Sequence, residues 1–128
     1  LADVVRGSVE DFGYLYGLHD CDAIYRRISP LCNTLILTDG ARPIRVFSPH
    51  GCDTYPVKTI ETVSTVGAGD NFNAGFSCAL IWNGITRSRL AQLGEAHWQQ
   101  LVATASAFSA AACRSTENYV PRDFKVRF

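Results

Sequence analysis

Residues 64–76, STVGAGDNFNAGF, limit the folds open to this chain more than any other stretch in it. Three small residues, Gly67, Ala68 and Gly69, precede an acid, Asp70, and a helix with little bulk on one face follows. Without large Cβ substituents, the backbone N–H groups at 67–70 can come close to an anion. The free N–H groups and dipole of a helix start favour negative charge at that point. A carboxylate in the same place has two readings. In one, Asp70 is an N-cap that accepts a hydrogen bond from the second or third helical N–H. In the other, it is a general base that takes a proton from an attacking hydroxyl while the neighbouring amides hold phosphoryl oxygens. Spacing alone leaves both open.

Composition narrows the function classes. The chain has 128 residues, 47% of them hydrophobic, which is the size of one domain with a core to bury. Twelve basic residues balance twelve acidic ones. With no basic stripe or charge run, nucleic acid and anionic membrane surfaces are not expected partners. The apolar run 103–113 is interrupted by Thr104, Ser106 and Ser109 and is too short to span a bilayer. No secretory signal is legible. The five cysteines, at 21, 32, 52, 78 and 113, form no CxxC pair, which suits reduced thiols in a cytoplasmic protein. His19, His50 and His97 have no metal-binding spacing and are expected on the surface or in loops.

The order of elements alternates β and α signals, the pattern of an α/β fold. A strand over 3–6 is followed by a turn at Gly7 and a helix over 8–16, with Ser8 as N-cap, Glu10 and Asp11 in its first turn and Gly17 at its end. Asp20 or Asp22 caps a second helix that stops before Pro30. The run 34–38 is short, apolar and β-rich, the mark of a buried parallel strand. Residues 44–47 and 54–58 alternate and read as an antiparallel pair. The helix opening at Asp70 stacks Phe72, Phe76, Ala79 and Leu80 and ends at Asn83-Gly84. A further amphipathic helix over 95–114 aligns Trp98, Leu101, Val102, Ala105, Phe108 and Ala112 on a face otherwise rich in Ala and Ser. No internal linker is legible.

Residues 64–77 fit throughout a frame of polar, small, two small residues, Gly, Asp and further small residues, and in this they resemble the second signature of the PfkB, or ribokinase-like, carbohydrate kinases. The resemblance implies transfer of the ATP γ-phosphoryl group to a sugar hydroxyl, with Asp70 as base and Gly67, Ala68 and Gly69 as the anion hole. Its fold implication is the C-terminal part of a three-layer α/β/α architecture, mostly parallel with one antiparallel pair. Family members are typically more than twice this long. The absence of methionine, even at position 1, agrees with residues 1–128 being the C-terminal nucleotide-binding and catalytic portion, without the N-terminal substrate and lid portion.

Other site residues follow from the same resemblance. RGSVEDF, residues 6–12, stands where the family usually reads Lys-Pro-Asn-x-x-Glu-Leu. This aligns Ser8 with the Asn and Asp11 with the Glu that orders magnesium and its waters, though a capped helix start also accounts for both. Thr38 and Gly40 match the Thr-x-Gly-x-x-Gly nucleotide loop, while its last Gly is Pro43, which has no N–H. Arg42 reads either as a phosphate contact or as a solvated turn residue. Ser64 stands in place of an Asp that supports a monovalent cation such as potassium, and a hydroxyl is the poorer ligand. Ser106 lies close to a family Asn near the adenine. Cofactors implied by the resemblance are ATP and Mg2+, with K+ as a third; the full-length protein would take a sugar, and a homodimer is allowed.

The reading favoured is a fructokinase-like sugar kinase. A nucleoside or other small-alcohol kinase of the same fold would share Asp70. A non-catalytic nucleotide-binding module gains some support from Ser64 and Pro43, and retention of the whole GAGD frame argues against it. A dinucleotide-binding domain fails on the missing GxGxxG spacing.

Overall fold

The computed structural model describes residues 2–126, and the chain divides into two compact units, Leu1–Lys58 and Thr59–Phe128. This boundary was not legible in the sequence, where Pro56 is the sole composition signal near it.

In the first unit, α/β alternation produces β1 (Val4–Ser8), α1 (Val9–Tyr16), α2 (Cys21–Ile28), β2 (Thr34–Asp39), β3 (Arg42–Ser48) and β4 (Gly51–Tyr55). The sheet order is β1-β2-β3-β4. β1 and β2 run parallel, with Val4 opposite Thr34 and Ser8 opposite Thr38, and the two helices form the crossover between them. The expected turn at Gly7 is not there. Gly7 lies inside β1, where a Cβ would come 2.7 Å from the Phe12 ring, so its small size lets α1 fold back onto the strand. Phe12, Ile24, Ile28, Leu35, Leu37 and Phe47 form the core of this unit, and Tyr25 stacks on Phe47 at 4.9 Å. A fully buried Leu or Ile of this kind contributes about 1.5–3 kcal/mol.

Both helices stop and start as the sequence indicates. Gly17 ends α1 with φ 67°, and the Asp20 side chain accepts from Ala23 N–H at 2.8 Å to open α2. The sheet is mixed: β2–β3 and β3–β4 are both antiparallel, where one antiparallel pair in a mostly parallel sheet was expected, and the expected pair is displaced. β4 begins at Gly51 and stops at Tyr55, not at 58, because Pro56 cannot donate to the ladder. Ser48 pairs with Gly51 across a two-residue turn. Between β2 and β3, the pairs Leu37–Arg45 and Asp39–Arg42 leave one extra residue on β3, an irregularity at the point where Pro43 offers no N–H.

The second unit is helical: α3 (Ala68–Trp82), α4 (Arg87–Leu90) and α5 (Glu95–Cys113). The expected stripes of α3 and α5 meet. A Cβ placed on Gly75 would lie 2.8 Å from Phe108 Cβ and 2.9 Å from Ala105 Cα, so the glycine sets the closeness of the two helices. Phe76 stacks on Trp98 at 6.2 Å, and Trp82 lies at 6.2 Å from Phe108. Asn83 and Gly84, the latter with φ 57°, end α3 as expected. The short helix α4 has no apolar periodicity and was not legible.

Candidate active site

The start of α3 settles how Asp70 is used locally. The N-cap is Gly67, with φ 78° and no side-chain capping bond, so Asp70 is the third helical residue and the capping reading fails. Its carboxylate is exposed and makes no hydrogen bond or ion pair among the described residues. Of the four N–H groups at 67–70, Ala68 N–H is taken by Thr65 O at 3.1 Å. Those of Gly67, Gly69 and Asp70 have no partner among the described residues. Of the three residues expected to form an anion hole, Gly67, Ala68 and Gly69, Ala68 spends its N–H on closing the turn, while Asp70 adds an unpaired N–H beside those of Gly67 and Gly69. Three unpaired donors beside a free carboxylate suit an anion whose neighbour must give up a proton.

Ser64 lies just before this loop. Its N–H and that of Val63 both donate to Cys113 O, at 3.2 and 2.8 Å, which ties the approach of the loop to the end of α5. Its hydroxyl accepts from Val66 N–H at 3.2 Å, so one lone-pair direction is already occupied. On α5, Ser106 Oγ is buried without a hydrogen-bond partner among the described residues.

In the first unit, Ser8 and Asp11 form a reciprocal capping box. Asp11 N–H donates to Ser8 Oγ at 3.0 Å and Ser8 N–H to Asp11 Oδ2 at 2.8 Å. The Ser8 N–H bond to the carboxylate, then the Ser8 hydroxyl beside it, with a smaller contribution from the Arg6 charge, hold the Asp11 carboxyl below its ordinary range against the opposing effect of burial. Asp11 thus stays ionised, and its second oxygen is not used by the cap. A single hard carboxylate oxygen fits water-mediated magnesium. No group of three or more metal-binding side chains exists among the described residues, so magnesium held here would depend on waters and phosphate. Asp11 also lines a groove of about 610 Å3 along β1 and α1, with Gly7, Tyr14 and Leu15 among its other walls.

The Thr38 hydroxyl at the end of β2 accepts from Arg6 Nη2 at 2.9 Å and donates to Gly7 O at 3.5 Å. Gly40, φ 57°, makes the turn into β3, and Arg42 spans it to pair with Asp39 at 3.0 Å. The Arg42 side chain is 80% exposed, so the pair is weak and the guanidinium is otherwise solvated. His19, His50 and His97 are exposed, and no described cysteine forms a disulfide.

A model of the pfkB family carbohydrate kinases matches residues 1–123. The chain belongs to that family. Similar curated relatives are the adenosine kinase of Saccharomyces cerevisiae, 45% identical over 67 residues, or 48% of this chain and 20% of that protein, and the fructokinase of Rhizobium leguminosarum bv. trifolii, 32% identical over 97 residues, or 73% and 29%. Among solved structures, fructokinase with bound ATP from Xylella fastidiosa superposes with a TM-score of 0.78 at 22% identity, covering 90% of this chain and 37% of that one. Aminoimidazole riboside kinase from Salmonella enterica, complexed with aminoimidazole riboside and an ATP analog, gives 0.71 at 26%, covering 90% and 37%. The fold of the pfkB segment is therefore ribokinase-like α/β, and it spans well under half the length of these relatives.

Two residues of the pfkB segment escaped the sequence reading. Asn71, 9% exposed, donates from one Nδ2 to Gly67 O and to Asn118 O, both at 2.9 Å. Asn118 is the one described non-glycine residue with positive φ, 61°. An amide directly after the acid, 47 positions from its partner, carries no periodic or spacing signal that could have marked it.

Proposed function

We propose that this chain carries the phosphoryl-transfer residues of an ATP-dependent kinase acting on a sugar hydroxyl, with a fructose-like acceptor favoured. The observation that carries the reading is the start of α3, where the unpartnered N–H groups of Gly67, Gly69 and Asp70 accompany an exposed Asp70 carboxylate. In this reading Asp70 accepts the proton of the acceptor hydroxyl as its oxygen attacks the γ-phosphorus. The P–O bond to ADP breaks, and the proton passes from Asp70 to solvent. The three N–H groups take up charge on the transferred group's oxygens, which is where positioning and electrostatics do most in phosphoryl transfer.

Bound magnesium would neutralise the ATP phosphates, and Asp11 is the residue proposed to order its waters. Thr38, Gly40 and Ser106 are proposed nucleotide contacts. Thr38 is held in place by Arg6, and the buried Ser106 hydroxyl has a hydrogen bond left to make. Arg42 is a weaker candidate because Asp39 already engages it. Potassium support at Ser64, a homodimer and a cytoplasmic setting belong to the same proposal, and no described helix is long and apolar enough to cross a membrane. A nucleoside acceptor is the second reading, favoured by the 45% identity to an adenosine kinase.

The test is Asp70→Asn in the full-length protein. Loss of a general base should lower turnover at least about a hundredfold while ATP binding changes little. A variant with near-normal sugar phosphorylation would refute the assignment.

A further inference from the structure

The loop that opens α3 has to present its N–H groups outward, and glycine-rich backbone does not hold an orientation unaided. Peptide planes fix the relation between neighbours. In a trans peptide the C=O and the following N–H point in opposite directions, so whatever anchors Val66 O also aims Gly67 N–H.

Val66 O has such an anchor. With its amide nitrogen facing the surrounding carbonyls, Asn118 donates to Val66 O at 3.2 Å and to Thr116 O at 3.3 Å. The backbone carbonyl of the same Asn118 accepts from Asn71 Nδ2, whose other hydrogen goes to Gly67 O. Two side-chain amides thus stitch 66–67 to 116–118 from both sides. The fit is close, since a Cβ on Gly67 would lie 3.0 Å from Asn118 O. Holding Asn118 at φ 61° costs strain that asparagine tolerates better than most residues, and the clamp offsets it.

We propose that Asn71 and Asn118 form an amide clamp that aims the Gly67 N–H at the transferred phosphoryl group, which makes both of them positioning residues for the reaction. The inference rests on the kinase reading of Asp70 given above and adds to it residues that touch neither substrate. Asn118 acts through the Val66–Gly67 peptide. Asn71 acts through Gly67 O and by keeping the 116–118 backbone in reach.

The experiment uses the full-length protein with Asn118→Gly, which keeps positive φ without strain, and Asn118→Asp, which keeps the shape but cannot donate to Val66 O. Asn71→Ser is the third variant: its hydroxyl can still bond Gly67 O one turn back but cannot reach Asn118. Asp70→Asn is measured alongside. Each clamp variant should lower kcat about tenfold or more, since a mis-aimed donor forfeits part of what a lost one does. KM for the acceptor should stay within about twofold. Affinity for ADP–aluminium fluoride, a mimic of the transferring group, should fall by the same factor as kcat, whereas affinity for ATP should not. A purely structural role would not produce that match. If the clamp variants keep kcat within about twofold while Asp70→Asn is inactive, the inference is overturned and the kinase reading stands. If Asp70→Asn is also active, both fall. Should Asn118→Gly fold poorly, Asn118→Asp alone decides by the same comparison.

Discussion

Replacing Gly75 by alanine sets two effects of opposite sign against each other. In a helix interior, alanine is favoured over glycine by up to about 1 kcal/mol, so propensity alone predicts a gain. The added Cβ, however, would stand 2.8 Å from both Cβ and Cγ of Phe108 and 2.9 Å from Ala105 Cα. Carbon atoms pack best at about 3.5–4.0 Å, so the overlap is close to an ångström. The Phe108 ring can swing aside, but its Cβ and the Ala105 Cα move only with the backbone of α5. Overpacking of this kind costs about 1–3 kcal/mol, and with a backbone atom among the contacts the upper part of that range applies. The net effect is a destabilisation of about 1–2 kcal/mol, or a drop of roughly 5–15 °C in Tm for a unit of this size. Both tryptophans, Trp82 and Trp98, lie in the second unit and flank this contact, so tryptophan fluorescence during heating reports on it selectively. Phe108→Ala in the same background should restore little, because it leaves the Phe108 Cβ in place. A Gly75→Ala protein with raised Tm would show that α3 and α5 do not meet through this glycine.

Gly67→Val should both strain a φ of 78° and press a side chain against Asn118, and a folded variant with unchanged ATP affinity and turnover would count against a phosphate cradle here. Potassium should activate the full-length enzyme weakly, and Ser64→Asp should strengthen the response at constant ionic strength; a strong requirement before the change would show that this side chain is not used. For Asp11, whose carboxyl sits below its ordinary range, the capping box contributes stability above the unfolded-state pKa and loses it as pH falls through the lower folded value. The Ser8 amide resonance should therefore titrate below the usual aspartate range. A midpoint at the ordinary aspartate value would mean that the box is not formed in solution.

The legible parts of this molecule are those written in local patterns. Ser8, Asp20 and Gly17 mark helix ends because one side chain or one φ decides each of them, and all three hold. The α3 and α5 stripes are equally plain. Misplacements arise where a distant partner decides. Asp70 resembles an N-cap by type, yet Gly67 takes the cap three residues sooner because only glycine takes φ 78° without cost. Gly7 looks like a turn and is a strand residue cleared for Phe12. At the site, the acid and its glycines stand out as a motif, whereas Asn71 and Asn118 meet only after α5 has brought its end back to the loop.

Ser8 both ends β1 and caps α1, so no connecting residue lies between strand and helix. This makes the corner intolerant of changes in length. One residue inserted between Ser8 and Val9 would turn the following helix by about 100° and carry Asp11 off the Ser8 amide, with no slack to absorb the shift. The stretch 56–67 behaves in the opposite way at its exposed part, where 59, 61 and 62 belong to no helix or strand. There, each doubling of loop length costs only about 0.6 kcal/mol. A reporter peptide spliced in at 61–62 should leave both units folded, while a single alanine added after Ser8 should unseat the first.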